Sequence, residues 1–291
     1  MVTWLSLALV LAAVDAGEAP ASSPDGGAEA NTAKPPAPAT FAVRAVTTKE
    51  PVVALTFDAC ATLRQPNGFD RRVFEVLAAE QIPVTLYLSG RWVEKHPTAA
   101  KAIAAASFIE LGNHSYSHPR LTLVRKERLR WQIRSTNRLL EKKLGRKPLT
   151  LRPPAGAWDA KVLAAANREG LPVVTWSVVS GDVGGHVPPA RMVQSVLDQT
   201  KPGAIIIFHI NRREPYTKKA LPDVIAGLRE KGFRFVTVSQ LLALPDATPE
   251  PAKPSHLGFH VRKKPRAPEP ANTEPPSAPQ SQGGERADPP T

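Results

Sequence analysis

Two histidines stand four residues apart in the segment His114-Ser115-Tyr116-Ser117-His118. On a helical turn that spacing carries two imidazoles to one side, close enough to share a metal ion. Imidazole with open water positions suits Zn²⁺ and, by affinity order, also Co²⁺ or Ni²⁺. The plainer reading of such a pair is two hydrogen-bonded histidines in a loop. Asp58 closes the apolar run Val52-Val53-Ala54-Leu55-Thr56-Phe57, where a carboxylate without a partner would be costly. Arg152 follows the run at 149–151 and is a fitting partner, because a guanidinium holds a carboxylate in a fixed orientation. A purely structural ion pair would use the same two residues. His209 follows four apolar residues. A lone histidine there is more often a satisfied core residue, but Asp182 could hold its ring and favour the protonated form.

These residues share one trait: each lies at or soon after the end of a short apolar, β-branched run. Strands are predicted at 52–57, 83–88, 108–111, 149–151, 173–176, 204–208 and 233–238. Helical spacing falls between them at 69–80, 94–106, 122–144, 159–169, 189–199 and 218–231. Strand then helix, repeated about seven times, is the signature of an α/β fold with a parallel sheet. The repetition predicts a closed or nearly closed (β/α) barrel of about seven parallel strands, with a doubly wound open sheet as the alternative. A barrel gathers the carboxyl ends of its strands on one face, which would bring Asp58, His114, His118, Arg152, Asp182 and His209 together.

Composition sets the limits around that domain. The chain has 291 residues, 38 Lys+Arg against 26 Asp+Glu, 31 Pro and one Cys. One cysteine excludes a disulfide scaffold and a Cys-rich zinc module. The charge is unevenly spread: −3 over residues 1–40, +15 over 41–245 and 0 over 246–291. Proline runs the other way, 16 in the two ends and 15 in the middle. A globular domain over 41–245 is therefore expected between a Pro/Ala-rich leader, 17–40, and a Pro-rich unstructured tail, 246–291. The apolar run from Trp4 to Val14, with small residues before Gly17, matches a signal peptide over 1–16 and is too short to span a bilayer. Export to the periplasm, cell envelope or exterior is expected. The basic residues Arg125, Arg128, Arg130, Arg134 and Arg138 are spread over a helix with no nucleic-acid-binding motif around them, so no nucleic-acid partner is expected. A basic surface facing anionic cell-wall material is the more useful reading. No stable transmembrane segment is expected, and the protein is expected to act as a monomer.

The ordered set of motifs resembles the NodB-type polysaccharide deacetylases, carbohydrate esterase family four, over about residues 50–240. The family's Thr-Phe-Asp-Asp is met by Thr56-Phe57-Asp58-Ala59, and its His-Ser/Thr-x-x-His by His114 to His118. Its Arg-x-Pro-x-Gly is met by Arg152, Pro154 and Gly156. Of its Asp-x-x-Asp-Trp only the second Asp remains, as Asp182, and Leu-x-His is met loosely by Ile207-Phe208-His209. The stretch Gly90 to Pro97 is also similar.

The resemblance implies a deformed barrel, the NodB homology domain, that hydrolyses the N-acetyl group of a glycan amino sugar: peptidoglycan, a chitin-like oligomer or poly-glucosamine. A divalent metal, Zn²⁺ first, would sit on His114 and His118, with Asp58 as general base and protonated His209 as acid. Arg152 would orient Asp58, Asp182 would hold His209, and a backbone N–H near Cys60 or Ala61 would receive the oxyanion. An acid–base pair of this kind predicts a bell-shaped pH profile. Pro154, Gly156, Trp158 and Trp176 are the expected substrate-binding residues. The chain departs from the family at Ala59, where the usual third metal ligand is an aspartate. Three replacements stay open: Asp58 itself, Asp70 at the head of the next helix, and Cys60 as thiolate. Asp70 is more simply a helix N-terminal residue, and Cys60 a small buried side chain. A non-catalytic glycan-binding module on the same fold is the alternative function.

Overall fold

The structure is a computed structural model that describes residues 39–62, 67–183, 187–211 and 216–256. In chain order the elements are β1 (Val43–Thr47), β2 (Val52–Ala59), α1 (Arg71–Glu80), β3 (Val84–Leu88), α2 (Gly90–Lys95), α3 (Pro97–Ala105) and β4 (Ile109–Asn113). They continue with α4 (Lys126–Leu144), α5 (Ala160–Asn167), β5 (Val178–Val179), α6 (Pro189–Gln199), β6 (Ile205–His209), α7 (Thr217–Glu230), β7 (Arg234–Phe235), α8 (Val238–Leu242) and β8 (Thr248–Pro251).

The main sheet runs β4-β3-β2-β6-β5, with β7 pairing the start of β2, and every pairing in it is parallel. This is the expected α/β fold. Beyond β4 the sheet continues through isolated parallel bridges from Asn113 to Leu151 and from Leu151 to Val173. Val174 then bridges Val43 in β1, and Ala45 bridges Ala204 just before β6. Bridge by bridge the sheet turns back on itself, as a deformed barrel does. The strands expected at 149–151 and 173–176 are thus present only as these single bridges.

The central strand β2 shows how the sequence sets the layers. All eight of its residues are buried, and side chains on a strand alternate between faces. Val53, Leu55, Phe57 and Ala59 enter an apolar cluster with Val73 and Leu77 of α1, Val196 of α6 and Val224 of α7. Val52 and Ala54 face the other way, against Tyr87, Trp176, Ile205 and Ile207. The first face is the layer between sheet and helices, and the second is the inside of the barrel. Asp58 continues the inner series at the carboxyl end.

Several boundaries differ from expectation, each for a local reason. The single helix expected over 94–106 begins at Gly90 and is divided at His96, whose backbone (φ −127, ψ 56) leaves the helical region ahead of Pro97. The helix expected from 122 starts with a 3₁₀ turn at 121–123 and becomes α-helical only at Lys126. The strand expected over 233–238 is two residues long, because Thr237 opens α8 with a capping box to Gln240.

The expected tail starts later than residue 246. β8 pairs antiparallel with β1, from Thr47–Thr248 to Val43–Pro251. Ala252 is buried beside Leu121 and Trp158, and Ser255 bridges Trp158. An edge strand such as β1 presents unpaired N–H and C=O groups, and β8, itself an edge that tolerates proline, covers them. The expected signal peptide at 1–16, the leader up to residue 38 and the tail from residue 257 lie outside the described residues. Among the described residues no helix is long and apolar enough to cross a membrane.

Candidate active site

Parallel register brings the chemistry to one end of the sheet. Asp58 pairs across to Tyr87 of β3 and to His209 of β6. Asn113 ends β4, so His114 leaves the sheet at the same level, and Arg152 follows Leu151, which bridges Asn113. Asp58, Cys60, His114, His118, Asp182 and His209 line one cavity of about 430 Å³. Its apolar wall is Ala155, Trp176, Val179, Val183 and Ile207.

Arg152 organises one side of this cavity from complete burial. Its Nη1 donates to Asp58 Oδ1 (2.9 Å) and to Thr56 Oγ1 (2.8 Å), and its Nη2 donates to the Thr175 carbonyl (2.9 Å). The guanidinium lies over the Tyr87 ring at 4.1 Å. Its own carbonyl accepts from His114 Nδ1 at 2.8 Å. A carbonyl only accepts, so Nδ1 carries the proton and Nε2 keeps a lone pair; Nε2 lies 3.5 Å from Asp58 Oδ2. Burial would raise the Asp58 pKa, but electrostatic interaction with His114, Arg152 and His209 outweighs it and holds the carboxyl below its ordinary value.

The two histidines meet through a loop, not the helical turn their spacing suggested. Ser115 and His118 have left-handed backbones, at φ 60 and φ 56. The loop's amides are held by side chains from flanking elements: Ser115 N–H donates to Asn113 Oδ1, and those of Tyr116 and Ser117 to Gln132 Oε1 in α4, all at 2.8 Å. The imidazoles are left 4.9 Å apart between centroids. Burial lowers the pKa of both, and burial together with His114 pushes His118 down to about 3. Both rings are therefore neutral and able to ligate.

His209 and Asp182 form the opposite side. Asp182 Oδ1 accepts from His209 Nδ1 (3.0 Å) and Oδ2 from the His209 backbone N–H (2.6 Å). Thr217 Oγ1 donates to the same Oδ2 at 3.3 Å. The carboxylate fixes the proton on Nδ1, so proton exchange with a substrate would run through Nε2. The His209 side chain is 15% exposed, against 1% for His114.

The other expected residues are spread more widely. Trp176 lines the cavity; Pro154 and Gly156 lie in a buried 3₁₀ turn after Arg152. Trp158 packs in the apolar cluster with Leu121 and Val162, away from the cavity. The two amides expected at the oxyanion are already used: Cys60 N–H donates to Asn211 Oδ1 (2.7 Å) and Ala61 N–H to Ser89 Oγ (3.0 Å). Asp70 caps α1, accepting from the amides of Arg72 and Val73. Asn211, Gln132 and Thr217 escaped sequence reasoning. The only hint for Asn211 was a polar residue two places beyond His209; Gln132 and Thr217 sit in helices with no local mark.

The donors present fit a divalent metal. Ligand atoms of Cys60, His114 and His118 all lie within 4.8 Å of one another, and two neutral imidazoles with a thiol are a donor set that Zn²⁺ accepts.

Comparison with known proteins gives a consistent picture. The family description for polysaccharide deacetylase matches residues 45–174. A peptidoglycan-N-acetylmuramic acid deacetylase of Bacillus subtilis is 30% identical over 198 residues, 67% of this chain and 73% of that protein. A peptidoglycan-N-acetylglucosamine deacetylase of Bacillus cereus is 33% identical over 191 residues, 65% of this chain and 67% of that protein. Among solved structures, a family-four carbohydrate esterase pseudoenzyme from Bacillus anthracis superposes with a TM-score of 0.63 at 28% identity, covering 71% of this chain and 69% of that one.

Proposed function

This chain belongs to the polysaccharide deacetylases of carbohydrate esterase family four, and on that premise we propose that it removes N-acetyl groups from amino sugars of cell-wall peptidoglycan. The observation that carries the reading is the single cavity. It joins an Arg152-held carboxylate, two neutral imidazoles and a carboxylate-held histidine. His114 and His118 would hold the metal, proposed as Zn²⁺, which when bound supplies Lewis acidity toward the acetamide carbonyl and makes water a better nucleophile.

The chain's own residues do the proton work. Asp58, ionised because its pKa is held low, takes a proton from the attacking water. Water oxygen bonds to the acetamide carbon, the C–N bond breaks, acetate leaves, and His209 gives its proton to the departing amine. Arg152 keeps Asp58 aimed, and Asp182 keeps the His209 ring in one orientation. Val179, Val183 and Trp176 give the acetyl methyl an apolar wall. The peptidoglycan relatives and the apolar run at 4–14 support action in the cell envelope after export.

A second reading is favoured by one observation: the pseudoenzyme neighbour, taken with Ala59 in place of the usual aspartate. On that reading the domain binds glycan without cleaving it. The test is acetate release from peptidoglycan and chitooligosaccharides, with and without Zn²⁺, by the unaltered chain and by Asp58→Asn and His114→Ala. Release that vanishes in both variants supports the deacetylase. Glycan binding with no acetate under any metal condition sinks it in favour of the binding module.

A further inference from the structure

We propose that Cys60 is the third protein ligand of the metal site, as a thiolate, taking over the task that Ala59 cannot perform. The proposal rests on the reading above only in that a divalent ion is bound at all.

The placement follows from strand alternation. Asp58 and Cys60 are two residues apart at the end of β2, and both line the cavity. Ala59, between them, is buried in the apolar cluster beneath the helices and does not line it. The backbone of Cys60 is held at both ends: its N–H donates to Asn211 Oδ1 and its carbonyl accepts from Asn67 Nδ2, each at 2.7 Å. The thiol is therefore delivered in a fixed direction. Its Sγ and ligand atoms of His114 and His118 lie within 4.8 Å of one another, near enough for one ion to draw them together.

The competing ligands have other work. Asp70 caps α1 through its carboxylate. Asp58 has one oxygen on Arg152, and leaving it out of the metal's ligand set preserves it as a base. A thiolate with two imidazoles selects Zn²⁺ over Mg²⁺, Ca²⁺ or Mn²⁺, and three protein ligands leave an open position of the kind catalytic zinc keeps. The thiol gives up its proton to solvent as the ion binds.

The chain's only cysteine makes the test clean, because every thiol signal belongs to it. The full chain would be loaded with Co²⁺ and its near-ultraviolet absorbance recorded, beside Cys60→Ser and Cys60→Ala. A thiolate-to-cobalt charge-transfer band is expected in the unaltered chain and in neither variant. Zn²⁺ affinity is expected to fall at least about tenfold in both, since losing a ligand should cost no less than losing an outer-shell partner. On the unaltered chain, Zn²⁺ but not Mg²⁺ should slow alkylation of Cys60 by at least about tenfold, a readout that needs no variant to fold. A cobalt spectrum without the thiolate band, or unchanged Zn²⁺ affinity in Cys60→Ser, overturns the proposal, and acetate release persisting there would leave the deacetylase reading standing. A thiolate signature with no acetate from peptidoglycan upholds the ligand and sinks the deacetylase reading instead.

Discussion

The two sides of the cavity are built differently. On the Asp58 side everything passes through one buried residue: Arg152 binds the base with its guanidinium and orients His114 with its carbonyl. On the His209 side the Asp182 carboxylate holds a partly exposed imidazole, with Thr217 as its outer support. The first side is a shared network, where a change at one member moves the others. The second is a separable pair. The contrast suits the proposed chemistry: the base and the metal ligands have to be fixed together, whereas the acid must reach a leaving group.

The sharpest way to break this contrast is Arg152→Met. It leaves the Asp58 carboxylate buried without its cation, and removing one partner of such a pair costs about 3–5 kcal/mol. Urea unfolding should show that loss, and acetate release should disappear. Combining it with Asp58→Asn should restore part of the stability and none of the activity. If the single variant unfolds like the unaltered chain, the network is not one.

Asp182→Asn tests the other side. An amide can accept from neither His209 donor as well as the carboxylate does, and its NH₂ group can reverse the ring's tautomer. Acetate release should fall by about 10²-fold or more, while the urea midpoint moves much less than for Arg152→Met. A stability loss as large as that of Arg152→Met would erase the distinction between the two sides.

The most gradual effect concerns acid. His114 and His118 are neutral in the fold, with pKa values below the 6.5 of a free imidazole, His118 at about 3. The unfolded chain therefore binds more protons as pH falls below about 6.5, and the metal-free fold loses stability across the window from there toward 3. Each imidazole adds a slope of up to about 1.4 kcal/mol per pH unit. In chelator, His118→Asn should flatten the melting temperature against pH below 6.5, and Thr217→Val on the other side should not. An unchanged slope in His118→Asn would show that the loop does not bury that ring as described.

Much of the site was legible because strand ends are legible. Apolar runs at 52–57 and 204–208 announce strands, and the polar residue after each must be at the sheet's edge, whatever the loops do. The helix division at His96 could have been read from Pro97. Other features had no local mark. Leu151 and Val173 contribute single bridges, too short for a periodicity, and β8 reads as Pro-rich tail until β1 is there to pair with it. Gln132 looks like any helical glutamine, yet its side chain holds two amides of the loop between the histidines.

The amino-acid order alone determined the parallel α/β class, the family resemblance, and the meeting of Asp58, Arg152, His114 and His209 at one end of a sheet. These depend on alternation, apolar runs and their punctuation, which are local. The tertiary structure decided the rest. It placed Trp158 in the core, spent Asp70 on a helix cap, engaged the amides of Cys60 and Ala61, and turned Cys60 toward the histidines while Ala59 went to the core. Those outcomes depend on which side chains arrive from distant elements, Asn211, Ser89 and Gln132 among them, and no short stretch of sequence carries that information.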